Sequence, residues 1–267
     1  MLVEFIGSTG AGKTTVLRSV QCHLATKAAT TISAELVTGL VGMEGVTHQT
    51  VQNLVQEVVG LPFFVSSLYR HRGFVESTVR LLLREARSSV ITICNLRSLE
   101  RKLGGYTLIR RIAGDRIILI DEGPVLAAHM FVYAGHRVSP RDIGTFAATV
   151  PLPDLIVYVR APVDAVVRRT LLRQDPPRAM ASRFRPDLVR YAEAAADLFE
   201  QLVALLRPVV PVLVVDNPDM DEERREVVAD AIAGSVINHR LKVDRRPNPA
   251  LIGGAPLGVG QHGTDAR

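Results

Sequence analysis

The sequence predicts an α/β fold in which helices cover both faces of a parallel β-sheet. Short runs of apolar and β-branched residues, of a length typical of buried strands, lie at residues 2–6, 116–121, 154–160 and 211–216. Longer segments with apolar residues at helical spacing separate these runs. Because successive parallel strands are joined by crossover helices, this alternation favours a parallel sheet over an antiparallel one.

The first predicted elements are a strand, a loop and a helix. Residues 2–6 are predicted to form a strand that ends at a glycine, and residues 14–27 repeat apolar positions at helical spacing. A weak second strand is predicted at residues 35–40. The stretch 47–112 is rich in arginine and in helical periodicity, so it predicts a helical insert whose internal boundaries the pattern leaves open.

Strands and helices alternate through the second half of the chain. Pro162 and Asp164 follow the predicted strand at 154–160 and suit the first turn of a helix that runs to about Arg173. Beyond that helix the pattern predicts, in order, a helix at 186–206, a strand at 211–216 and a helix at 221–238.

The C-terminal segment differs from the rest in composition. From residue 239 onward it carries five basic and two acidic residues, so it supplies much of the formal net charge of +5. The remaining chain is nearly balanced, which makes nucleic acid an unlikely partner. Because the segment also lacks apolar periodicity, we expect one domain at residues 1–240 and a disordered tail at 241–267.

Cysteine content and the N-terminal sequence predict a cytoplasmic protein with no membrane segment. Cys22 and Cys94 both lie in apolar-patterned segments, which predicts buried free thiols rather than a disulfide or a metal site. Glu4 and the glycine loop after it replace the basic and apolar regions of a signal peptide. No apolar run approaches the ~18 residues that cross a bilayer. A homodimer is left open.

Residues 7–14, GSTGAGKT, match the phosphate-binding pattern G-x-x-x-x-G-K-[ST] at every required position. The match lies between a predicted strand and a predicted helix, where backbone N–H groups and the helix N-terminus can bind phosphate oxygens. Lys13 is predicted to reach the β and γ phosphates, and Thr14 to offer its hydroxyl to Mg²⁺. The predicted nucleotide-binding residues of this segment are Gly7, Ser8, Thr9, Gly10, Ala11, Gly12, Lys13, Thr14 and Thr15.

Two neighbouring carboxylates, Asp121 and Glu122, end the most apolar predicted strand. Ligands of open α/β folds bind at the C-terminal edge of the sheet, so Asp121 is the candidate carboxylate near Mg²⁺, with a helix N-cap as the alternative. Glu122 points to the other side of an extended strand end. It can serve there as a base, as a second carboxylate near Mg²⁺ or as an acid at a helix start.

A cluster of arginines follows the predicted strand at 154–160. Arg169 and Arg173 are four residues apart and therefore share a helix face. Further arginines lie in a proline-interrupted segment, which can close over a triphosphate and bring guanidinium groups to the transferring phosphoryl group. A solvated basic face is the alternative. The cluster consists of Arg168, Arg169, Arg173, Arg178, Arg183 and Arg185, and the predicted lid is residues 174–185.

These blocks together resemble the P-loop nucleoside and nucleotide kinases, in particular thymidylate kinase and adenylate kinase. The resemblance rests on residues 7–14, LIDEGP at 119–124, DLIVYV at 154–159 and VVD at 214–216. It implies a P-loop NTPase three-layer fold with a five-stranded parallel sheet, Mg-ATP as phosphate donor and a mobile lid. It also implies that Asp121 lies near Mg²⁺, that Arg169 and Arg173 belong to the lid region, and that Asn217 lines the adenine.

The sequence also departs from these kinases. Asp-Glu-Gly-Pro at 121–124 replaces the Asp-Arg of thymidylate kinases and the acidic residue with Arg-Ser of deoxynucleoside kinases, and the phosphate loop lacks the acidic residue typical of thymidylate kinases. The insert at 47–112 occupies the place where these kinases build the acceptor site. The insert carries Arg70, Arg72, Arg80 and Arg84. These arginines can bind an anionic acceptor or form a solvated helical face.

Three function classes follow from the sequence: a kinase, a regulatory ATPase and a catalytically weak nucleotide-binding protein. The leading hypothesis is a kinase that moves the γ-phosphate of Mg-ATP to a small-molecule acceptor, which can be a nucleoside, a nucleotide or a similar hydroxyl or phosphate compound. The alternative is a regulatory P-loop ATPase that acts with a protein or nucleic-acid partner. The chain has no Leu-Ser-Gly-Gly signature and no strongly basic body, which disfavours the second class.

Overall fold

The protein folds around a five-stranded parallel sheet. The structure is a computed structural model, and it describes residues 1–43, 49–84, 89–133, 138–173 and 184–244. In this part of the chain the strand order is β2-β3-β1-β4-β5. The strands are β1 (Leu2–Ile6), β2 (Thr30–Ile32), β3 (Ile117–Ile120), β4 (Leu155–Arg160) and β5 (Val212–Asp216). The predicted fold class is confirmed.

Helices connect the strands and cover both faces of the sheet. A short 3₁₀-helix (Val125–Ala128) follows β3. The α-helices of the described residues are α1 (Lys13–Ala25), α2 (Ser33–Leu40), α3 (Gln49–Arg70), α4 (Arg72–Arg84), α5 (Ser89–Ile112), α6 (His129–Tyr133), α7 (Pro140–Thr149), α8 (Val163–Leu171), α9 (Arg185–Leu206) and α10 (Glu222–Asp244).

The alternation of side chains along β1 divides the core into two sides. Val3 and Phe5 pack with the buried faces of α1 and α10. Leu2 and Ile6 point to the opposite side, where α5 and α9 lie. Glu4 shares the face of Leu2 and Ile6 because side chains alternate along a strand. A carboxyl group therefore lies in the middle of an apolar row, and it is fully buried there.

The predicted second strand at residues 35–40 is wrong. These residues belong to helix α2, and the strand is the three-residue segment Thr30–Ile32 just before it. Three residues are too few to show a period of two, although their β-branched side chains suit a strand. In contrast, Val37 and Thr38 are buried on one face of a helix that also carries exposed Glu35.

Helices α3, α4 and α5 lie within the stretch 47–112. Helices α3 and α5 pack against each other, and their backbones come close where Gly60 faces Gly104. A Cβ atom on Gly104 would lie 2.5 Å from the carbonyl oxygen of Gly60, so only glycine permits this approach. Among the described residues, no helix is long and apolar enough to cross a membrane.

The predicted boundary of the domain at residue 240 falls inside a helix, because α10 continues to Asp244. The rest of the predicted tail, residues 245–267, lies outside the described residues. Residues 174–183 of the predicted lid also lie outside them.

The predicted burial of the two cysteines is wrong, since both thiols are free and exposed. Helix α1 buries the face formed by Val16, Val20 and Leu24. Cys22 lies halfway between Val20 and Leu24 along the helix, about 200° around from each, and so projects away from that face. The apolar residues around Cys22 in the sequence do not show that its side chain points away from the buried face of α1.

We expect Gly104→Ala to lower the free energy of unfolding by up to about 2 kcal/mol. The added methyl group must displace the Gly60 carbonyl, and this overpacking exceeds the gain of about 1 kcal/mol that alanine has over glycine in a helix. Urea unfolding measures the change. Gly105→Ala is the matched control, because a Cβ there meets no atom within 4 Å. Equal effects of the two substitutions would contradict close packing at this crossing.

Candidate active site

The segment between β1 and α1 forms a compact loop that depends on glycine. Gly7, Gly10 and Gly12 have φ angles of 139°, 89° and 89°, which side-chain-bearing residues rarely adopt. A Cβ atom on Gly7 would lie 2.1 Å from the carbonyl oxygen of Val159 in β4. The loop backbone is therefore pressed against the neighbouring strand, and we call residues 7–14 the phosphate loop.

Lys13 lies across the phosphate loop. Its ammonium group donates hydrogen bonds to the carbonyl oxygens of Gly7 and Ser8, each at 3.0 Å. Burial lowers the pKa of Lys13 to about 8, and the nearby Asp121 carboxylate opposes that shift. The lysine is thus cationic at neutral pH and is held where the pattern of the sequence predicts an anion.

The pairing of β1 with β3 brings the start of α1 beside the end of β3. Thr14 Oγ1 donates a hydrogen bond to Asp121 Oδ2 at 3.1 Å. Burial raises the pKa of Asp121, while the charge of Lys13 lowers it. A hydroxyl and a carboxylate are oxygen ligands that suit Mg²⁺, and a cation here would compensate the partly buried carboxylate. These two side chains therefore fit a magnesium site that draws its other ligands from phosphates and water.

Glu122 forms ion pairs with two cationic side chains, and no pattern in the sequence links them to it. Its Oε2 accepts hydrogen bonds from Arg101 Nη2 at 2.7 Å and from Lys102 Nζ at 2.9 Å, both on α5. Lys102 first, and then Arg101, hold the pKa of Glu122 far below its ordinary range. A carboxylate with so low a pKa is a poor proton acceptor. The geometry therefore disfavours the role of Glu122 as a base.

Glu4 supports the turn that carries these carboxylates. Its Oε1 accepts a hydrogen bond from the Leu126 N–H at 2.8 Å. A Cβ on Gly123 would lie 2.3 Å from the Glu4 carboxyl carbon, so Gly123 rests directly on this side chain. Burial raises the pKa of Glu4 to about 8, which keeps it mostly protonated at pH 7. The sequence analysis missed this residue, because a single acid in a strand gives no pattern.

Arg169 and Asn217 donate hydrogen bonds to backbone carbonyl oxygens of the phosphate loop. Arg169 Nη1 donates to the carbonyl oxygens of Gly10 and Ala11, each at 3.3 Å. Its Nη2 donates to the Asn217 carbonyl at 3.3 Å and to the Pro218 carbonyl at 2.9 Å. Asn217 Nδ2 donates to the Ala11 carbonyl at 2.6 Å. Both residues thus join the phosphate loop to the loop after β5.

The other arginines of the cluster differ in position. Arg168 forms ion pairs with Asp164 and Asp219. Arg173 is exposed two residues beyond the end of α8, and its charge contributes to lowering the pKa of Lys13, so the two cations lie within electrostatic range. Arg178 and Arg183 fall outside the described residues.

A buried histidine contacts the phosphate loop from the side of α9. His129 Nε2 lies 3.4 Å from Thr9 Oγ1 and hydrogen-bonds to the hydroxyl of Tyr191 on α9. Burial, followed by the charge of Lys13, holds the pKa of His129 well below its ordinary value, so the imidazole is neutral. The sequence analysis missed this contact, which joins residues more than one hundred positions apart.

A polar cleft opens beside Thr14 and Asp121. It lies between α1, α2 and α3, and Gln52, Asn53 and Gln56 of α3 contribute amides to it. Its described lining is Thr14, Leu17, Arg18, Ile32, Ser33, Ala34, Glu35, Gln52, Asn53, Gln56, Asp121 and Glu122. Three of the insert arginines that the sequence singled out pair with carboxylates elsewhere: Arg72 and Arg80 with Glu76, and Arg84 with Asp142. The part of this surface that the structure describes is neutral to acidic.

Solved structures with a similar fold include a deoxyadenosine kinase from M. mycoides, determined with bound dCTP and with bound dATP. The first is 14% identical, covers 88% of this chain and 100% of its own, and has a TM-score of 0.43. The second is 14% identical, covers 89% and 100%, and has a TM-score of 0.47. A thymidylate kinase from Candida albicans is 12% identical, covers 89% and 92%, and has a TM-score of 0.47.

At these identities the likeness concerns the fold alone. No family model matches the chain, and no curated protein matches it.

We expect Glu4→Gln to change how stability depends on pH. The folded state raises the pKa of Glu4 from 4.5 to about 8, so it binds the proton more tightly than the unfolded state. Stability from this group is complete below pH 4.5 and is lost as pH rises through 8, with a slope of up to about 1.4 kcal/mol per pH unit. Glutamine does not titrate, so the free energy of unfolding of the variant should rise relative to that of the native protein between pH 5 and pH 8.

Denaturant unfolding at several pH values measures this gain. Glu223→Gln, an exposed change on α10, is the control and should leave the pH slope unaltered. If Glu4→Gln retained the native slope, the Glu4 carboxyl would be ionised in the folded protein.

Proposed function

We propose that the protein is an ATP-dependent kinase that transfers the γ-phosphate of Mg-ATP to a small acceptor. The observation that carries this proposal is the position of the polar cleft, which opens beside Thr14 and Asp121 at the mouth of the phosphate loop. A nucleotide on the loop and a second small molecule in the cleft would meet at the side chains that fit Mg²⁺. Hydrolysis alone requires no second binding site there.

The residues of the phosphate loop supply binding and charge. Lys13 exchanges the carbonyl oxygens of Gly7 and Ser8 for phosphate oxygens, and the loop N–H groups bind the remaining oxygens. Thr14 and Asp121 would hold Mg²⁺, which would supply charge neutralisation to the phosphates when it is bound. Phosphoryl transfer depends mainly on such positioning and electrostatics, so few groups need to move protons.

The lining of the cleft favours an uncharged acceptor. The amides of Gln52, Asn53 and Gln56 can donate to and accept from the polar groups of a nucleoside or a similar polyol. A phosphorylated acceptor would lie close to Glu35 and Asp121, with Arg18 as the single cation among the described lining residues. We therefore infer that the acceptor is a hydroxyl group, whose proton is released to solvent when the phosphoryl group is transferred.

A panel of acceptors tests this function. Purified protein in Mg-ATP is incubated with nucleosides, nucleoside monophosphates, sugars and aminoglycoside-like alcohols, and ADP release is followed together with the mass of each acceptor. We expect ADP release that depends on an uncharged hydroxyl compound and a matching gain of one phosphoryl group. ADP release that is equal with and without every acceptor would instead indicate the regulatory ATPase.

We expect Lys13→Ala to reduce turnover by about 10²-fold or more while the fold is kept, because the lysine contributes charge to phosphate rather than apolar contacts. ADP release and circular dichroism measure the two effects together. Lys27→Ala, an exposed change just beyond α1, is the control and should retain native turnover. Undiminished turnover in a folded Lys13→Ala protein would contradict the kinase.

We expect Asp121 and Arg173 to act in different steps. Asp121→Asn should lower activity and raise the Mg²⁺ concentration needed for it, since an amide attracts a cation less than a carboxylate does. Arg173→Ala should lower kcat more than it weakens ATP binding, with Mg²⁺ dependence unchanged, if the guanidinium acts mainly in the transition state. Magnesium titrations of both variants distinguish the two. Identical magnesium curves for Asp121→Asn and the native protein would remove Asp121 from the metal site.

A further inference from the structure

Polar atoms of a buried histidine connect the phosphate loop with helix α9. His129, the first residue of α6, is 6% exposed. Its Nε2 lies 3.4 Å from Thr9 Oγ1 on the loop and is hydrogen-bonded to the hydroxyl group of Tyr191 on α9. One ring nitrogen therefore meets two hydroxyl groups, which come from two separate elements of the fold.

Helix α9 holds the imidazole ring of His129 in place. The ring packs edge-to-face with that of Phe199, with 5.8 Å between the centroids and 61° between the planes. It also packs against the ring of Tyr191, at 5.8 Å and 40°. Phe199 is fully buried, and both aromatic residues belong to α9. Because two rings of one helix contact the imidazole, α9 fixes the position of Nε2 beside the phosphate loop.

Thr9 occupies the corner of a tight turn in the phosphate loop. The Ala11 N–H donates to the Ser8 carbonyl oxygen at 3.1 Å, so Thr9 is the second residue of a four-residue turn. The Ser8 carbonyl also accepts the hydrogen bond from Lys13. The charge of Lys13 is the second cause, after burial, that lowers the pKa of His129. The Thr9 hydroxyl thus lies in the part of the loop where Lys13 would meet phosphate oxygens.

Packing alone does not account for the two hydroxyl groups. A buried hydroxyl or imidazole costs free energy unless it keeps its hydrogen bonds, whereas apolar groups of the same shape carry no such cost. Valine in place of Thr9 and phenylalanine in place of Tyr191 would fill nearly the same volume. The chain has a hydroxyl at both positions, and both meet the same nitrogen. This arrangement suits a hydrogen-bond donor that is held in one orientation.

We propose that the Thr9 hydroxyl donates a hydrogen bond to the phosphoryl group that is transferred, and that His129 and Tyr191 are positioning residues for this hydroxyl. The inference rests on the proposed function, because it requires ATP in the phosphate loop. A hydroxyl has one proton, so Thr9 can donate to phosphate and keep its contact with His129 only if its oxygen accepts from the imidazole. The neutral imidazole then carries its proton on Nε2, where the oxygens of Thr9 and Tyr191 share it.

A donor that is already oriented contributes most in the transition state of phosphoryl transfer. Negative charge is then spread over the phosphoryl oxygens, and a donor that points at them needs no reorganisation. Thr9 would touch the reacting group, whereas His129 and Tyr191 would act through Thr9. Loss of any of the three should therefore lower kcat more than it raises the KM for ATP.

Steady-state kinetics of shape-conserving variants test these roles. ADP release is measured in the full chain, because it reports transfer to an acceptor and transfer to water alike. Thr9→Val should lower kcat by about 10-fold and Tyr191→Phe by a smaller factor, with the KM for ATP nearly unchanged. The double variant should be no slower than Thr9→Val, since Tyr191 acts only through Thr9. Losses that multiply would overturn the proposal, as would native kcat in Thr9→Val.

Two substitutions of His129 separate hydrogen bonding from packing. Glutamine keeps an N–H donor near the position of Nε2, whereas leucine fills the space without one. His129→Gln should retain most of the native kcat, and His129→Leu should match Thr9→Val, with unchanged circular dichroism spectra. Equal losses in the two folded variants would overturn the proposal. Tyr69→Phe, which removes the hydroxyl of a tyrosine that is 93% exposed on α3, is the matched control and should keep the native kcat.

Nitrogen-15 NMR of the histidine rings supplies a readout that does not depend on turnover. The native full chain is studied with Mg²⁺ and AMP-PNP, a non-hydrolysable ATP analogue, and the His129 signals are identified by their absence in His129→Gln. We expect the His129 proton on Nε2 in the bound protein. A proton on Nδ1 would overturn the inference and leave the proposed kinase standing. Native protein that does not bind AMP-PNP would contradict the proposed function and this inference together.

Discussion

The close approach of the phosphate loop to its neighbours is the constraint on which the rest of the site depends. β1 is the central strand, paired in parallel with β3 on one side and β4 on the other. The loop after it must therefore turn within the width of one strand, and Gly7 permits this because no side chain separates its backbone from Val159. Lys13, Thr14 and Asp121 occupy fixed relative positions as a result.

A second set of charged and polar groups packs against the turn that carries Asp121 and Glu122. The Glu122 carboxylate is bound to Arg101 and Lys102, and the protonated Glu4 fills the space under Gly123. Unpaired charge in such a position would cost several kcal/mol, so each group is either neutralised or paired. Of the two carboxylates that end β3, this set leaves Asp121 as the one that can respond to a ligand.

The sequence predicted those parts of the fold and site that have a local signal. Glycine spacing predicted a tight loop between the first strand and helix, and an uninterrupted apolar run predicted β3 and the carboxylate after it. The strand β2 was misplaced because three residues carry too little periodicity. Contacts of Glu122 with Arg101, of Glu4 with Gly123 and of His129 with Thr9 join distant parts of the chain, and no single sequence records such pairs.

Two anchors fix the ends of the connection between α8 and α9. Arg169, near the end of α8, is bonded to the carbonyl oxygens of Gly10 and Ala11, and Tyr191, in the second turn of α9, is bonded to His129 beside Thr9. Both helices are thus anchored to the phosphate loop by side-chain hydrogen bonds. Any displacement of this loop therefore changes the contacts that hold α8 and α9 in place.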